Sequence, residues 1–202
     1  SATTTQELVM TQSSGGTLTL HRWRGPSWAT DFATTTIATT TAKRGFDIAA
    51  ESLSGEVLAV FVNSTSSPVN PIYRTYNGTW SAEAYVFDSA PGTAQAEWVE
   101  LASRPGSNEI TLVYSDANSE LFTVRWNGAS WDETATEQKI TSGGLAPGTL
   151  NQITTQDFDA AYEDTTGDLM IVWGRTKEIV AAERRADSNG YATTSMVSFA
   201  TG

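Results

Sequence analysis

The chain has 202 residues, a formal net charge of −11 and no cysteine. The length suits one domain with an ample buried core. The acidity argues against nucleic-acid binding, which demands a basic face, and against adsorption to anionic membranes. The missing thiols exclude disulfides, thiolate nucleophiles and cysteine-based zinc sites. No run of apolar residues is long enough for a membrane-spanning helix, and the opening "SATTTQELVM" lacks the basic and apolar regions of a signal peptide. An acidic, Thr/Ser-rich chain of this kind fits a secreted or cell-surface protein.

In chain order, "ELVMTQS" is a short apolar run and "TLTLHRWRGPSW" an alternating one. The latter has Leu18, Leu20 and Arg22 on one parity and Thr19, His21 and Trp23 on the other. "ATTTIATTTAK" follows as an extended strand or polar connector. "GFDIAAESLSGEVLAVFVN" from Gly45 then gives two runs about a turn, and "PIYRTYNGTW" a third run, a turn and an aromatic. The same order returns in "EWVELASRPGSNEITLVYSD" with "LFTVRWNGASW", and in "DFDAAYEDTTGDLMIVWGR" with "IVAAERRADSNGY". The leading aromatics are Phe46, Trp98 and Phe158, and the aromatics after the turns are Trp28, Trp80, Trp131 and Tyr191. "VLAVFV", "ITLVYS" and "LMIVW" are β-branched or aromatic and apolar on both parities, as in strands covered on both faces. "KEIVAAERRAD" is the best helical stretch, but it occupies a third-strand slot and is assigned as a strand.

Four strands in each unit of about fifty residues are the signature of β-propeller blades. The expected fold is all-β, a β-propeller of about four four-stranded antiparallel blades, with a β-sandwich as the alternative. The units run approximately over residues 1–44, 45–96, 97–156 and 157–202. The first unit has second, third and fourth strands but no evident innermost one, since "SATTTQ" is all that precedes it. The expectation is therefore a ring completed by association in a homo-oligomer or by the remainder of a larger propeller, rather than a self-closed monomer.

In "RWNGASWDE", Asn127-Gly128 is expected to supply the positive φ of a tight hairpin, with Trp126 and Trp131 packing across it. Asn77-Gly78, Asn189-Gly190 and, in "RGPSW", Gly25 take the same role. These turns, "YNGTW" and "WNGASW", resemble the Asp-box turns of sialidase-like propellers and the "W-D-G-x-x-W" hairpins of fucose-binding lectin propellers. No strict Asp-box is present, because Tyr76 and Trp126 stand two residues before Gly78 and Gly128.

A sialidase-like site would need an arginine cluster, a Tyr nucleophile with its partner Glu, and an acid–base Asp. Arg22, Arg74, Arg125 and Arg184 recur on third strands, but Arg74 is on the opposite parity to Arg22 and Arg125, and no catalytic residue is carried over. The lectin resemblance implies Arg, Glu and an aromatic from adjacent blades around one sugar. Its candidates here are Arg22 with Trp23, Arg125 with Trp126, and Arg74 and Tyr76.

The lone His21 and the absence of a G-x-S-x-G elbow remove most Ser-His-Asp arrangements. Asp47 and Asp159 match on first strands, which would line a channel, and Glu51 and Glu163 match four residues later. Such carboxylates suit a glycosidase pair or Ca²⁺. The third unit, however, aligns Val99 and Ser103 there, leaving the ring incomplete. "SDANSE" and "EDTTGD" lack calcium-loop spacing, so no cofactor is assigned. Asn63-Ser-Thr and Asn77-Gly-Thr are glycosylation sequons. The reading is an extracellular binding or adhesion module for a glycan or protein ligand. A glycoside hydrolase and a self-assembling structural subunit are the alternatives.

Overall fold

The computed structural model describes residues 8–12, 16–23, 26–34, 43–62, 70–89, 94–133, 138–141, 156–175 and 178–198. Gly25, the Asn63 sequon and most of "ATTTIATTTAK" lie outside them. The described residues form four antiparallel sheets, each a simple meander in chain order. The first holds β1 (Leu8–Gln12), β2 (Leu18–Trp23) and β3 (Trp28–Thr34); the second holds β4 (Phe46–Ala50), β5 (Val57–Phe61), β6 (Ile72–Tyr76) and β7 (Ala84–Tyr85). The third contains β8 (Ala96–Ser103), β9 (Ile110–Asp116), β10 (Leu121–Trp126) and β11 (Gln138–Lys139). The fourth contains β12 (Phe158–Tyr162), β13 (Leu169–Arg175), β14 (Glu178–Arg184) and β15 (Ala192–Ser198). The helical stretch is thus the strand β14, because its Val180 and Ala182 are needed on a packed sheet face. No helix among the described residues is long and apolar enough to cross a membrane.

The sheets stack face to face, with the first strands β4, β8 and β12 packed in succession, which is a propeller-type arrangement and not a two-layer sandwich. Apolar clusters fill three seams. Leu18, Phe61 and Ile72 join the first and second sheets. Leu58, Val60, Leu112 and Trp126 join the second and third. Val113, Leu121, Ile171 and Trp173 join the third and fourth. Every residue of β5 and β9 is buried, because each strand has a neighbouring sheet on both sides. Inner strands are also tied together by hydrogen bonds: the Val99 and Leu101 amides donate to the Arg44 carbonyl (3.0 Å) and Asp47 Oδ2 (2.9 Å). Ser103 Oγ donates to the Ala50 carbonyl at 2.7 Å.

Two sequence expectations need correction. The unbroken register from Ser103 opposite Ile110 puts Val99, not Trp98, opposite Tyr114, where Phe46 faces Phe61 and Phe158 faces Trp173; a bulge follows only beyond it, between Ala96 and Trp98. Glu100 thereby takes the place of Asp47 and Asp159, and the carboxylate position is filled in all three sheets. In the hairpins, Gly78 (φ 118°) and Gly128 (φ 97°) are left-handed but Asn77, Asn127 and Gly190 are not. Asn127 instead accepts the Ala129 and Ser130 amides on Oδ1, both at 3.0 Å, as an Asx turn. A Cβ on Gly128 would stand 2.8 Å from that of Asn108.

Candidate functional site

Strand parity decides where the third-strand arginines go. Arg22 lies on the β2 face with Leu18 and Leu20, toward the second sheet. Arg74 lies with Ile72 on β6, facing back toward the first. Arg125 pairs opposite Thr111 and faces the fourth sheet, while Arg184 pairs opposite Leu169 and faces back toward the third. The opposite parity of Arg74, legible in the sequence, therefore makes arginines converge in pairs at alternate seams.

At the first seam the Arg22 guanidinium lies 4.3 Å over the Tyr76 ring and 2.7 Å from Asp31. Trp80 Nε1 donates to the same Asp31 carboxylate at 3.0 Å. Phe32 meets the Trp80 ring edge-on at 5.0 Å and carries the Arg74 guanidinium at 4.9 Å. Arg74 reaches Glu83 at 3.8 Å. The ladder opens outward there, into a concavity of about 200 Å³ lined by Ile72, Glu83, Ala84 and Tyr85. The Glu83 side chain is 37% exposed and Tyr85 45%. A carboxylate and an exposed aromatic thus line one small recess, and the Arg74 guanidinium stands next to that carboxylate.

The seam between the third and fourth sheets uses similar groups in a closed arrangement. Glu109 receives Arg184 at 2.5 Å and lies 3.5 Å from Arg125 and 3.6 Å from Arg104. The Tyr162 hydroxyl donates to Glu109 at 2.7 Å, and Arg125 also reaches Asp132 at 3.1 Å. Burial alone would raise the Glu109 carboxyl, but the Tyr162 hydroxyl, Arg184 and Arg125 outweigh it and hold it below the usual range. Burial pushes the Tyr162 phenol up. The Tyr, Glu and arginines of a sialidase-type set are therefore present by type, but the phenol is held protonated inside a seam where Arg184 is 1% exposed. The cluster clamps the third and fourth sheets together.

The expected partners Arg22 with Trp23 and Arg125 with Trp126 are not brought together, because consecutive strand residues point to opposite faces. Trp23 lies on the outward face of the first sheet, 5.5 Å from Trp28. Trp126 is buried between the second and third sheets, packs at 5.5 Å against both Tyr73 and Trp131, and donates to Glu51 at 2.7 Å. The turn tryptophans pack across their hairpin as expected, and Tyr76–Trp80 repeats the pairing at 5.1 Å.

Sequence reasoning missed the carboxylates Asp31, Glu83 and Asp132. Each follows a third-strand arginine across the hairpin, so antiparallel pairing returns it beside that arginine. It also missed Tyr85 and Glu109.

The inner-strand acids do not form an open pair of Asp47 and Asp159. Asp47 is tied to the Leu101 amide and raised by burial. Glu51 holds Trp126, and Glu163 accepts turn amides at Thr165 and Thr166. Glu100 hydrogen-bonds to Asp159 instead and contacts Gln156 and Arg44 (3.3 Å). Burial, then the Asp159 hydrogen bond, push the Glu100 carboxyl up to about 7 against the pull of Gln156 and Arg44. Among the described residues no group of three or more His, Asp or Glu side chains is placed to hold a metal ion.

No protein-family profile matches the chain, and no curated protein matches it in sequence. Solved structures do match in fold. A six-bladed β-propeller lectin from Aleuria aurantia, described by its fucose recognition, superposes with a TM-score of 0.57 at 15% identity, over 95% of this chain and 57% of the lectin. The α-L-arabinofuranosidase Arb93A of Fusarium graminearum gives 0.57 at 12% identity, over 93% and 59%. The intramolecular trans-sialidase of Ruminococcus gnavus gives 0.50 at 10%, over 88% and 39%. The fold is a β-propeller type, and the chain spans less than two thirds of each of these structures.

Proposed function

We propose that the chain is a non-enzymatic carbohydrate-binding module of an extracellular or cell-surface protein, and that its sugar site is the outer end of the first seam. The observation that carries this reading is the recess of about 200 Å³ lined by Glu83 and exposed Tyr85, with Arg74 paired to Glu83 at 3.8 Å. A sugar ring presents an apolar face suited to an aromatic and vicinal hydroxyls suited to a guanidinium and a carboxylate. Arg74 is held for this by Phe32 beneath it, so little ordering is required on binding. Fucose recognition in a lectin of the same fold supports sugars as the first ligands to try. The Tyr162 hydroxyl, engaged by Glu109 and Arg184, and the engaged Asp47 favour binding over hydrolysis.

The test is a glycan array followed by calorimetry on the best sugar. Arg74→Ala and Tyr85→Ala are each expected to weaken binding at least about tenfold, while Arg125→Ala at the closed seam leaves it unchanged. Absence of binding to any sugar, or loss with Arg125→Ala alone, removes this reading.

A further inference from the structure

Three hairpins carry an Asn-Gly pair at the turn: Asn77-Gly78, Asn127-Gly128 and Asn189-Gly190. They differ in what holds the two groups able to react with each other, the asparagine carboxamide and the following glycine nitrogen. Asn127 Oδ1 accepts the Ala129 and Ser130 amides at 3.0 Å, and its Nδ2 donates to Ser130 Oγ at 3.3 Å. Gly128 is also crowded by the Asn108 side chain. At the third turn the Gly190 nitrogen donates to Ser188 Oγ at 3.1 Å. Asn77 and Gly78 are exposed, and the Asn77 carboxamide and Gly78 nitrogen make no hydrogen bond among the described residues. A Cβ on Gly78 would meet nothing within 4 Å. Loop length explains the contrast. The loop between the paired Tyr76 and Trp80 is one residue shorter than that between Trp126 and Trp131, so it lacks one of the two residues that lock Asn127.

We propose that Asn77 is a site of spontaneous main-chain modification, and that this modification loosens the hairpin holding the first seam. The Gly78 nitrogen, on losing its proton, attacks Asn77 Cγ; a C–N bond forms and the side-chain nitrogen leaves as ammonia. Water then adds to either carbonyl of the cyclic imide. One opening leaves aspartate at position 77, the other an isoaspartyl link in which the main chain runs through Cγ. Glycine favours the attack because no side chain obstructs its nitrogen. The carboxamide must turn onto that nitrogen, so at Asn127 the bonds of the Asx turn must break first, and at Gly190 the bond to Ser188. Asn77 meets neither obstacle. Both products place a new carboxylate at the loop tip. The isoaspartyl product also adds a carbon to the main chain of this hairpin. There the Ser81 amide donates to the Thr75 carbonyl at 2.9 Å, and Trp80 Nε1 holds Asp31 of the first sheet at 3.0 Å.

Asn77 lies in a sequon, so the full chain is produced unglycosylated, incubated in mildly alkaline buffer, digested and mapped by mass spectrometry. Fragmentation distinguishes aspartate from isoaspartate. Asn77 is expected to convert at least about tenfold faster than Asn127 or Asn189. In urea the three sites should react within about threefold of one another, because the fold no longer separates them. Inserting Ala after Gly78, which gives this loop the length of its counterpart, should slow Asn77 at least about threefold. The isoaspartyl fraction, separated chromatographically, should melt about 2 °C or more below Asn77→Asp, which carries the charge without the extra carbon. The proposal is overturned if Asn127 or Asn189 converts as fast as Asn77, or if the same ordering persists in urea. It is also overturned if the insertion leaves the Asn77 rate unchanged, or if the isoaspartyl fraction melts together with Asn77→Asp.

Discussion

The two arginine-bearing seams use the same side-chain chemistry to different ends. Between the third and fourth sheets, one carboxylate, Glu109, gathers Arg104, Arg125 and Arg184 with a tyrosine, and Arg184 is fully enclosed. Between the first and second sheets the charges are divided into two pairs, Arg22–Asp31 and Arg74–Glu83, and the outer pair meets solvent beside Tyr85. Enclosure turns such groups into a clamp whose members are costly to remove. Partial exposure leaves them available to a ligand and gives them little weight in stability.

Substitutions sharpen this contrast. The largest effect is expected for Arg184→Ala, which leaves Glu109 and Tyr162 buried without their main partner. Removing one partner of a buried pair costs about 3–5 kcal/mol, and at about 2–4 °C per kcal/mol a melting temperature lower by 6 °C or more should be seen calorimetrically. A change within 1 °C would show that the closed seam is no clamp.

Glu100→Gln should act in the opposite direction and only at higher pH. The folded carboxyl titrates at about 7, above its ordinary 4.5, so the folded state holds the proton more tightly than the unfolded chain. The stability this contributes is present below the unfolded value and is lost as pH rises through about 7. Thermal melts of the parent chain should therefore fall between pH 5 and 8 by about 2–4 °C, on the order of 1 kcal/mol after allowance for solvent screening. Glu100→Gln should flatten that slope; an unchanged slope would exclude the Glu100–Asp159 hydrogen bond as its source.

The smallest effect on stability is expected for Arg74→Ala, below about 1 kcal/mol by chemical denaturation because the pair is partly exposed. A loss as large as that of Arg184→Ala would erase the distinction between the seams.

Much of the architecture was legible in the sequence because it rests on local rules. Runs apolar on both parities, such as "ITLVYS", require cover on two faces. Glycine turns with an aromatic on each side, as in "WNGASW", close hairpins wherever they occur. The repetition of these units implies sheets that bury one another.

The candidate site was less legible. Of the residues singled out, Arg74 lies beside the recess and Arg22 and Tyr76 in the same seam, whereas Arg125 lies in the closed seam and Trp23 and Trp126 face away from their neighbouring arginines because neighbours in a strand face apart. Matching Trp98 with Phe46 and Phe158 hid the match of Glu100 with Asp47 and Asp159, because Trp98 stands one residue before their place in the strand register.

By itself, then, the sequence determined the strands, their order within each sheet and the aromatic hairpins, all set by interactions between residues close along the chain. Tertiary structure alone decided which carboxylate meets which arginine and which seam is enclosed. Those outcomes depend on how separate sheets abut, and the free energy of a charged pair is fixed by the burial that contact creates.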